Sequence, residues 1–181
     1  MKLLFKLFAV SCLTLGLINC SSNAPNSNAP NSGAANASKT SSSAADSNAK
    51  LEALPESALK AAISVKEAPK KIKAGETATF NATAKNISDT KWPATGLSDG
   101  KYRVALGDHW LAANGKLVTL DDTRALLPNN VEPGKEVEVR ITVTAPKTPG
   151  DYILELDMVQ EQINWFKDRG SSSFRTQVKV E

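Results

Sequence analysis

The strongest constraint on the fold lies between residues 131 and 166, which read VEPGKEVEVRITVTAPKTPGDYILELDMVQEQINWF. Apolar and polar side chains alternate there in two successive runs. The apolar positions are Val137, Val139, Ile141 and Val143, then Tyr152, Leu154, Leu156 and Met158. This alternation indicates two antiparallel strands with one buried face, because successive side chains point to opposite sides of a pleated strand. We expect the other face, which carries Glu155 and Asp157, to be exposed.

Similar patterns occupy most of the chain beyond residue 62. Strands are predicted at 63–66 with a continuation at 71–73, and at 77–85, 101–110 and 173–180, with a short irregular segment at 117–127. About seven strands in ~120 residues, with turn signals every 8–12 residues, are typical of a β-sandwich. No helical pattern separates the strands, which argues against a parallel βαβ sheet. The predicted fold class is therefore all-β, an antiparallel sandwich.

The first twenty residues have the layout of an export signal. Lys2 and Lys6 precede an apolar run at 7–18, which is too short to span a bilayer as a helix. The run ends in Leu17-Ile18-Asn19-Cys20. This motif resembles the lipobox of bacterial lipoproteins, although asparagine replaces the usual glycine or alanine before the cysteine. The resemblance implies a signal peptide at 1–19 and lipidation of Cys20 by a diacylglyceryl group and a further acyl chain. An ordinary secretory signal with a chance cysteine is the alternative.

Residues 20–49 form a flexible tether in this interpretation. After the cysteine, the segment contains only Ser, Asn, Ala, Pro, Gly, Thr, one Lys and one Asp. Without large apolar side chains it cannot offset the entropy of ordering its backbone. A random coil of this length reaches roughly 30 Å. Residues 50–61 are predicted to be a short helix or the end of the linker, and the sandwich domain is predicted at 62–181.

Composition limits the classes of partner. Cys12 lies inside the signal, so the mature chain has no thiol available for a disulfide, a zinc site or a nucleophile. Loss of Lys2 and Lys6 leaves 20 basic against 19 acidic residues, a net charge of +1. Nucleic-acid binders normally show a basic patch, so we expect no nucleic-acid partner. The expected partners are a membrane, through the lipid anchor, and an envelope protein or glycan. The expected location is the cell envelope, with the outer membrane favoured over the inner.

Residues spread over 64–180 carry a further resemblance. They are Asn86, Trp92-Pro93, Tyr102, Leu106-Gly107, Trp110-Leu111, Gly115, Arg124, Leu127-Pro128, Val131, Pro133-Gly134, Ala145-Pro146, Pro149-Gly150-Asp151-Tyr152, Leu156-Asp157-Met158-Val159, Glu161 and Trp165-Phe166. The pattern resembles an Ig-like module that occurs in bacteria beside glycosyltransferase and methyltransferase domains. More distantly, it is similar to the four-tryptophan domain of autophagy receptors. The resemblance implies an Ig-like fold and says little about function, because Ig-like folds host many functions.

Residues that could carry chemistry are few. His109 is the only histidine, and it lacks the partners that a transition-metal site requires. A general base also needs a positioned partner, so we interpret His109 as a structural residue on a strand. Scattered aspartates leave a weak calcium site as an alternative. No phosphate loop, nucleophile elbow or paired-carboxylate motif is present. We therefore predict no catalytic residue, no cofactor and no metal.

The aromatic residues are the remaining candidates for a binding site. Loops and strand ends of sandwich scaffolds often carry such sites, whereas ring burial at the ends of the core is the more common fate. The candidate contact residues are Trp92, Trp110, Trp165, Phe166 and Arg169. Trp165 is the strongest candidate because the loop at 160–172 is long for a hairpin. Adjacent strand-like residues face opposite ways, so either Trp165 or Phe166 is expected to face outward.

Three functions are compatible with these observations. The preferred one is a lipid-anchored envelope lipoprotein that displays a non-catalytic interaction module. The second is a carbohydrate-binding module, which would place Trp165 in the open beside Trp110 or Trp92 in a polar concavity. The third is a structural subunit of an envelope complex, which would need two contact surfaces. An exposed apolar patch or an open edge strand would favour the first.

Overall fold

The computed structural model of the protein describes residues 51–181. The predicted signal peptide, the lipidation site at Cys20 and the tether at 20–49 lie outside the described residues. Within residues 51–181, no helix is both long enough and apolar enough to cross a membrane.

Nine strands make up the domain, and seven of them are longer than two residues. They are β1 (Ala61–Ser64), β2 (Lys71–Ile72), β3 (Thr77–Asn86), β4 (Val104–Ala112), β5 (Leu117–Leu126), β6 (Glu136–Thr144), β7 (Gly150–Gln160), β8 (Asn164–Trp165) and β9 (Phe174–Val180). Two 3₁₀ turns, Glu56–Ala58 and Lys167–Arg169, are the only helical segments in the described part of the chain.

The strands form two sheets that enclose one core. The first sheet has the order β1-β3-β6, and the second has the order β2-β9-β7-β4-β5, with β8 added beside β7. The strand pairings are antiparallel apart from the short β2–β9 pair. Buried apolar residues from both sheets belong to a single cluster. The predicted all-β, Ig-like antiparallel sandwich is confirmed.

The first sheet follows the alternation in its sequence. Val139, Ile141 and Val143 of β6 are buried, whereas Glu136 and Glu138 on the other face are exposed. β6 pairs with β3 in continuous register, which brings small apolar side chains of both strands to the core side. This outcome is expected for a strand with one solvated face.

The second sheet departs from the prediction at its centre. Leu156 of β7 is buried as expected, but Glu155 and Asp157 on the opposite face are fully buried as well. Residues 161–173, which we call the flap, follow β7 and fold back over this face, where Lys167 contacts both carboxylates. The prediction that Glu155 and Asp157 are exposed is therefore wrong. Alternation marks the two faces of a strand and does not reveal a segment that later covers the polar one.

Smaller differences concern β5, β1 and β8. Residues 117–126 form a ten-residue strand, and two register shifts against β4 account for the irregular pattern in its sequence. β1 begins at Ala61, two residues before the predicted start. Of the segment predicted at 50–61, the described residues 51–60 contain only the 3₁₀ turn instead of a regular helix. β8 was not predicted, because two residues are too few to show a period.

The segment before β1 is attached to one end of the sandwich. The backbone N–H of Leu54 donates to Gln160 Oε1 at 2.8 Å, and Gln160 Nε2 donates to the carbonyl of Glu52 at 2.9 Å. Trp92 Nε1 donates to the carbonyl of Ala58 at 2.9 Å. These bonds satisfy buried polar groups that water cannot reach. The packed domain thus includes residues before its predicted start at 62.

Truncation of a buried leucine should be far more costly than truncation of an exposed one. Leu156 is fully buried, whereas 52% of Leu126 is exposed. We expect Leu156→Ala to lower the free energy of unfolding by roughly 2–5 kcal/mol and Leu126→Ala to lower it by less than about 1 kcal/mol. Urea denaturation of the two variants measures this difference. Equal losses would contradict the strand phase described for β7.

Candidate functional site

Three of the five candidate contact residues lie in the core. Trp92, Trp110 and Phe166 are fully buried. The rings of Trp92 and Phe166 meet edge to face, with centroids 5.3 Å apart, and the ring of Trp110 meets Tyr152 at 6.3 Å. The hypothesis that these three side chains contact a ligand is wrong, because rings without accessible surface cannot touch one. Their role is the alternative one, which is to fill the ends of the core.

The other two candidates lie in the flap and keep some accessible surface. Trp165 is half-buried and pairs through β8 with Val159 of β7, while Phe166 faces inward. The expectation that one of these neighbouring rings faces outward is therefore confirmed. Arg169 is exposed, and it donates to Glu56 Oε1 and to Asn164 Oδ1, both at 3.0 Å. Arg169 thus links the 3₁₀ turn of the flap to the segment before β1.

The indole of Trp165 lies on the outer face of the second sheet, over a gap left by a glycine. A Cβ atom on Gly107 would come within 2.7 Å of Trp165 Cη2 and 2.8 Å of Arg124 Nη1. The guanidinium of Arg124 lies 4.6 Å from the Trp165 ring centroid, within the range of cation–π attraction. The ring of His109 lies 4.2 Å away. Glycine is required at 107 because the aromatic ring occupies the volume of its missing side chain.

Glu155 is the centre of a buried ionic network beneath the flap. Lys167 Nζ of the flap donates to Glu155 Oε2 at 2.6 Å. Ser173 Oγ and Arg175 Nε donate to Glu155 Oε1 at 2.6 and 2.7 Å. Removing a carboxylate from water is costly unless hydrogen bonds and opposite charges replace the lost hydration. The flap and β9 supply these donors, so the burial of Glu155 depends on both.

Asp157, two residues further along β7, has fewer hydrogen-bond donors around it than Glu155. The backbone N–H of Lys167 donates to Asp157 Oδ2 at 3.1 Å. Asp157 Oδ1 is buried and has no hydrogen-bond partner within residues 51–181. Glu155 and Asp157 therefore lie side by side on one strand with very different numbers of donors. Such a contrast should push the pKa values of the two carboxyl groups in opposite directions.

The pKa values of the two groups diverge as this geometry requires. Burial raises the pKa of Glu155, but the hydrogen bonds from Lys167, Ser173 and Arg175 outweigh it and lower the value to about 2. Burial dominates at Asp157 and raises its pKa to about 7, against a smaller opposite effect of Lys167. At neutral pH Glu155 is therefore ionised, while Asp157 is divided between its neutral and charged forms.

A groove borders Trp165 at the edge of the flap. It has a volume of about 350 Å³. Its lining residues are Arg124, Val159, Gln160, Glu161, Gln162, Ile163, Asn164 and Trp165. Arg124 Nε donates to Glu161 Oε1 at 2.8 Å across this groove. The groove combines one aromatic ring, an ion pair and amide side chains.

No group of three or more His, Cys, Asp or Glu side chains within residues 51–181 is arranged to hold a metal ion. His109 lies on β4 as the sequence indicated. The sequence did not reveal the network around Glu155, whose donors come from the flap and β9. One signal was available in retrospect: two acidic residues at the centre of an otherwise apolar strand precede a long loop that carries aromatic and basic side chains.

Comparisons with known proteins concern the fold. No family model and no curated protein matches the sequence. A CARDB domain from Pyrococcus furiosus, 14% identical, aligns with a TM-score of 0.40 over 67% of this chain and 92% of that one. A β-glucosidase from Listeria innocua, 15% identical, aligns with a TM-score of 0.42 over 67% of this chain and 16% of that one. Similarity at this level extends to the fold at most and assigns no activity.

The ionic network predicts a specific acid sensitivity. The pKa of Glu155 is lowered by folding, so its stabilising contribution is complete above about pH 4.5 and is lost as the pH falls towards 2. We expect Glu155→Gln to cost about 3 kcal/mol at pH 7 and to flatten the decline in stability between about pH 4.5 and 2. Urea titrations at several pH values measure both effects.

Glu138→Gln is the matched control, because Glu138 is an exposed glutamate on β6. The control should change stability by less than about 0.5 kcal/mol at any pH. Equal effects of the two substitutions would show that Glu155 is not buried in an ionic network.

Proposed function

We propose that this chain is a lipid-anchored lipoprotein of the cell envelope whose Ig-like sandwich is a non-catalytic protein-interaction module. The motif Leu17-Ile18-Asn19-Cys20 supports the anchor. The polar tether that follows supports display of the domain at a distance from the lipid surface. The domain itself supplies a rigid scaffold, on which loops and strand ends carry the contact residues.

The observation that carries the proposal is the half-buried Trp165 beside an amphipathic groove. Leu126, Ala105, Val159 and Trp165 lie opposite one another in a single row across β5, β4, β7 and β8. Leu126, at one end of this row, is among the most exposed large apolar residues of the domain. The ion pair of Arg124 and Glu161 borders the row. Ala105 and Val159 are themselves buried, so Leu126 and Trp165 are the members of the row that a partner can reach. Apolar side chains bordered by polar groups are the usual composition of a protein-binding surface.

A protein partner fits this surface better than a glycan. The carbohydrate hypothesis required Trp165 to lie in the open beside Trp92 or Trp110, and both of those rings are buried in the core. The Trp165 ring already packs against the Arg124 guanidinium and the His109 ring, so a sugar would have to displace a side chain before stacking. An apolar side chain of a partner can instead enter the groove beside the ring. The structural-subunit hypothesis stays a prediction, since it requires a second surface.

The anchor can be tested by one substitution. Cys20→Ser removes the only thiol at the predicted lipidation position. Two or more acyl chains hold a protein stably on a membrane, whereas the unmodified chain has no such affinity. We expect the wild-type protein to enter the detergent phase and the Cys20→Ser variant to stay in the aqueous phase. Unchanged partitioning of the variant would remove the basis of the anchor.

The contact surface can be tested by photo-crosslinking in intact cells. A photoreactive residue at Ile163, which lines the groove, should give a discrete crosslinked protein product. The same residue at Thr142, which is exposed on the first sheet, should give none. Arg169→Ala should lower the yield from position 163, whereas Arg140→Ala on the distant sheet should leave it unchanged.

Two outcomes would contradict the proposed contact surface. If Trp165→Ala unfolds the domain while Arg169→Ala changes no crosslink, the flap serves only to cover the sheet. A glycan array tests the remaining alternative, the carbohydrate-binding hypothesis. Binding of the purified protein to a glycan, lost in Trp165→Ala with the fold intact, would favour the carbohydrate-binding hypothesis.

A further inference from the structure

Asp157 is a buried acid whose surroundings lack the hydrogen-bond donors needed to stabilise a full negative charge. Its side chain is completely buried, Oδ2 accepts a backbone hydrogen bond from Lys167, and Oδ1 has no partner within residues 51–181. An ionised carboxylate has about four acceptor sites, and leaving most of them empty away from water is costly. The neutral form needs fewer hydrogen bonds and fits this site better.

The charged groups around Asp157 are largely committed to other carboxylates. Lys167 Nζ from the flap and Arg175 from β9 make their short contacts with Glu155. Arg124 from β5 makes its short contact with Glu161. His109 from β4 packs against the Trp165 ring. The nearest like charge is Glu155 on the same strand, which further disfavours an ionised Asp157.

The segment that covers Asp157 contributes no buried residue and is held by polar contacts, from Lys167 to Glu155, from Arg169 to Glu56 and between Ser171 and Ala61. Phe166 is anchored in the core, and its backbone N–H donates to the carbonyl of Met158 at 2.9 Å. After Phe166, residues 167–172 contain a single 3₁₀ turn that ends at Gly170 in the left-handed conformation, with φ of 85°. Lifting this segment around the Phe166 anchor would break these polar contacts and leave the apolar core in place, to which residues 167–172 contribute no side chain. Lifting it would admit water to both carboxyl groups.

We propose that residues 167–172 are a pH-sensitive latch, which closes over Asp157 while this carboxyl carries a proton and lifts when the proton is lost. Protonation removes the charge that the closed site cannot stabilise, so the closed form binds the proton more tightly than the open form. The pKa of the closed form is about 7 because of burial, and a hydrated aspartate titrates near 4. The latch therefore responds in the neutral range.

The sign and size of the response follow from proton linkage. Between about pH 4 and 7 the open form is ionised and the closed form is not, so each unit of rising pH favours opening about tenfold. Above pH 7 both forms are ionised and the response levels off. Opening exposes two acidic side chains beside Trp165, which changes the charge of the surface next to the groove. Only this consequence for a partner rests on the proposed function.

Amide hydrogen exchange at Lys167 measures the latch directly, because this N–H is the one bonded to Asp157. The full-length protein is studied by NMR from pH 5 to pH 8, and exchange rates are converted to protection factors to remove the intrinsic pH dependence. We expect the protection factor of Lys167 to fall about 50-fold between pH 5 and 7. The amide of Ile141, buried in β6, exchanges through unfolding of the whole domain, so a Lys167 protection factor well below that of Ile141 at every pH shows that the change is a local opening of the latch.

Two variants show which side chain causes the pH dependence of Lys167 protection. Asp157→Asn keeps the shape and cannot ionise, so its Lys167 protection should not change with pH. His109→Asn tests the imidazole that packs against Trp165, and the wild-type response should persist in it. A constant protection factor in the wild-type protein overturns the proposal, whether or not the variants fold. A response that survives in Asp157→Asn, or that disappears in His109→Asn, overturns it as well.

Discussion

The buried charge of Glu155 is the constraint on which the arrangement of the second sheet depends. It sits at the centre of β7 between β4 and β9, where an unpaired carboxylate would be strongly destabilising. Its donors come from two directions, Lys167 and Ser173 on the flap and Arg175 on β9. The flap must therefore lie on the outer face of the sheet, and the side chains around it adapt to that position.

The flap joins three parts of the molecule at one end of the sandwich. Phe166 enters the core against Trp92, whose indole N–H binds the carbonyl of Ala58 in the segment before β1. Trp165 remains on the outer face, in the space that Gly107 leaves open. The groove thus lies next to the core and next to the point where the chain enters the domain. This arrangement supplies a rigid base for the proposed contact surface, as binding sites on loops require.

Local patterns in the sequence predicted the fold well and the site poorly. Alternation located β6 and β7 because each has a core face that repeats every two residues, and turn signals separated the strands. The same alternation placed Glu155 and Asp157 in solvent, because it contains no information on residues 161–173 that later cover them. Trp92, Trp110 and Phe166 were ambiguous for a related reason: a large ring near a strand end suits either a core or a binding site, and only tertiary packing decides.

The flap seals the outer face of the second sheet by placing Trp165 over Gly107. A double-mutant cycle of Gly107→Ala and Trp165→Ala tests it most directly, since the added methyl group would clash with the ring. Gly107→Ala alone should destabilise the domain by roughly 1–3 kcal/mol. In the Trp165→Ala background the same substitution should cost at least about 1 kcal/mol less, because the ring is gone. Strictly additive losses would contradict the account.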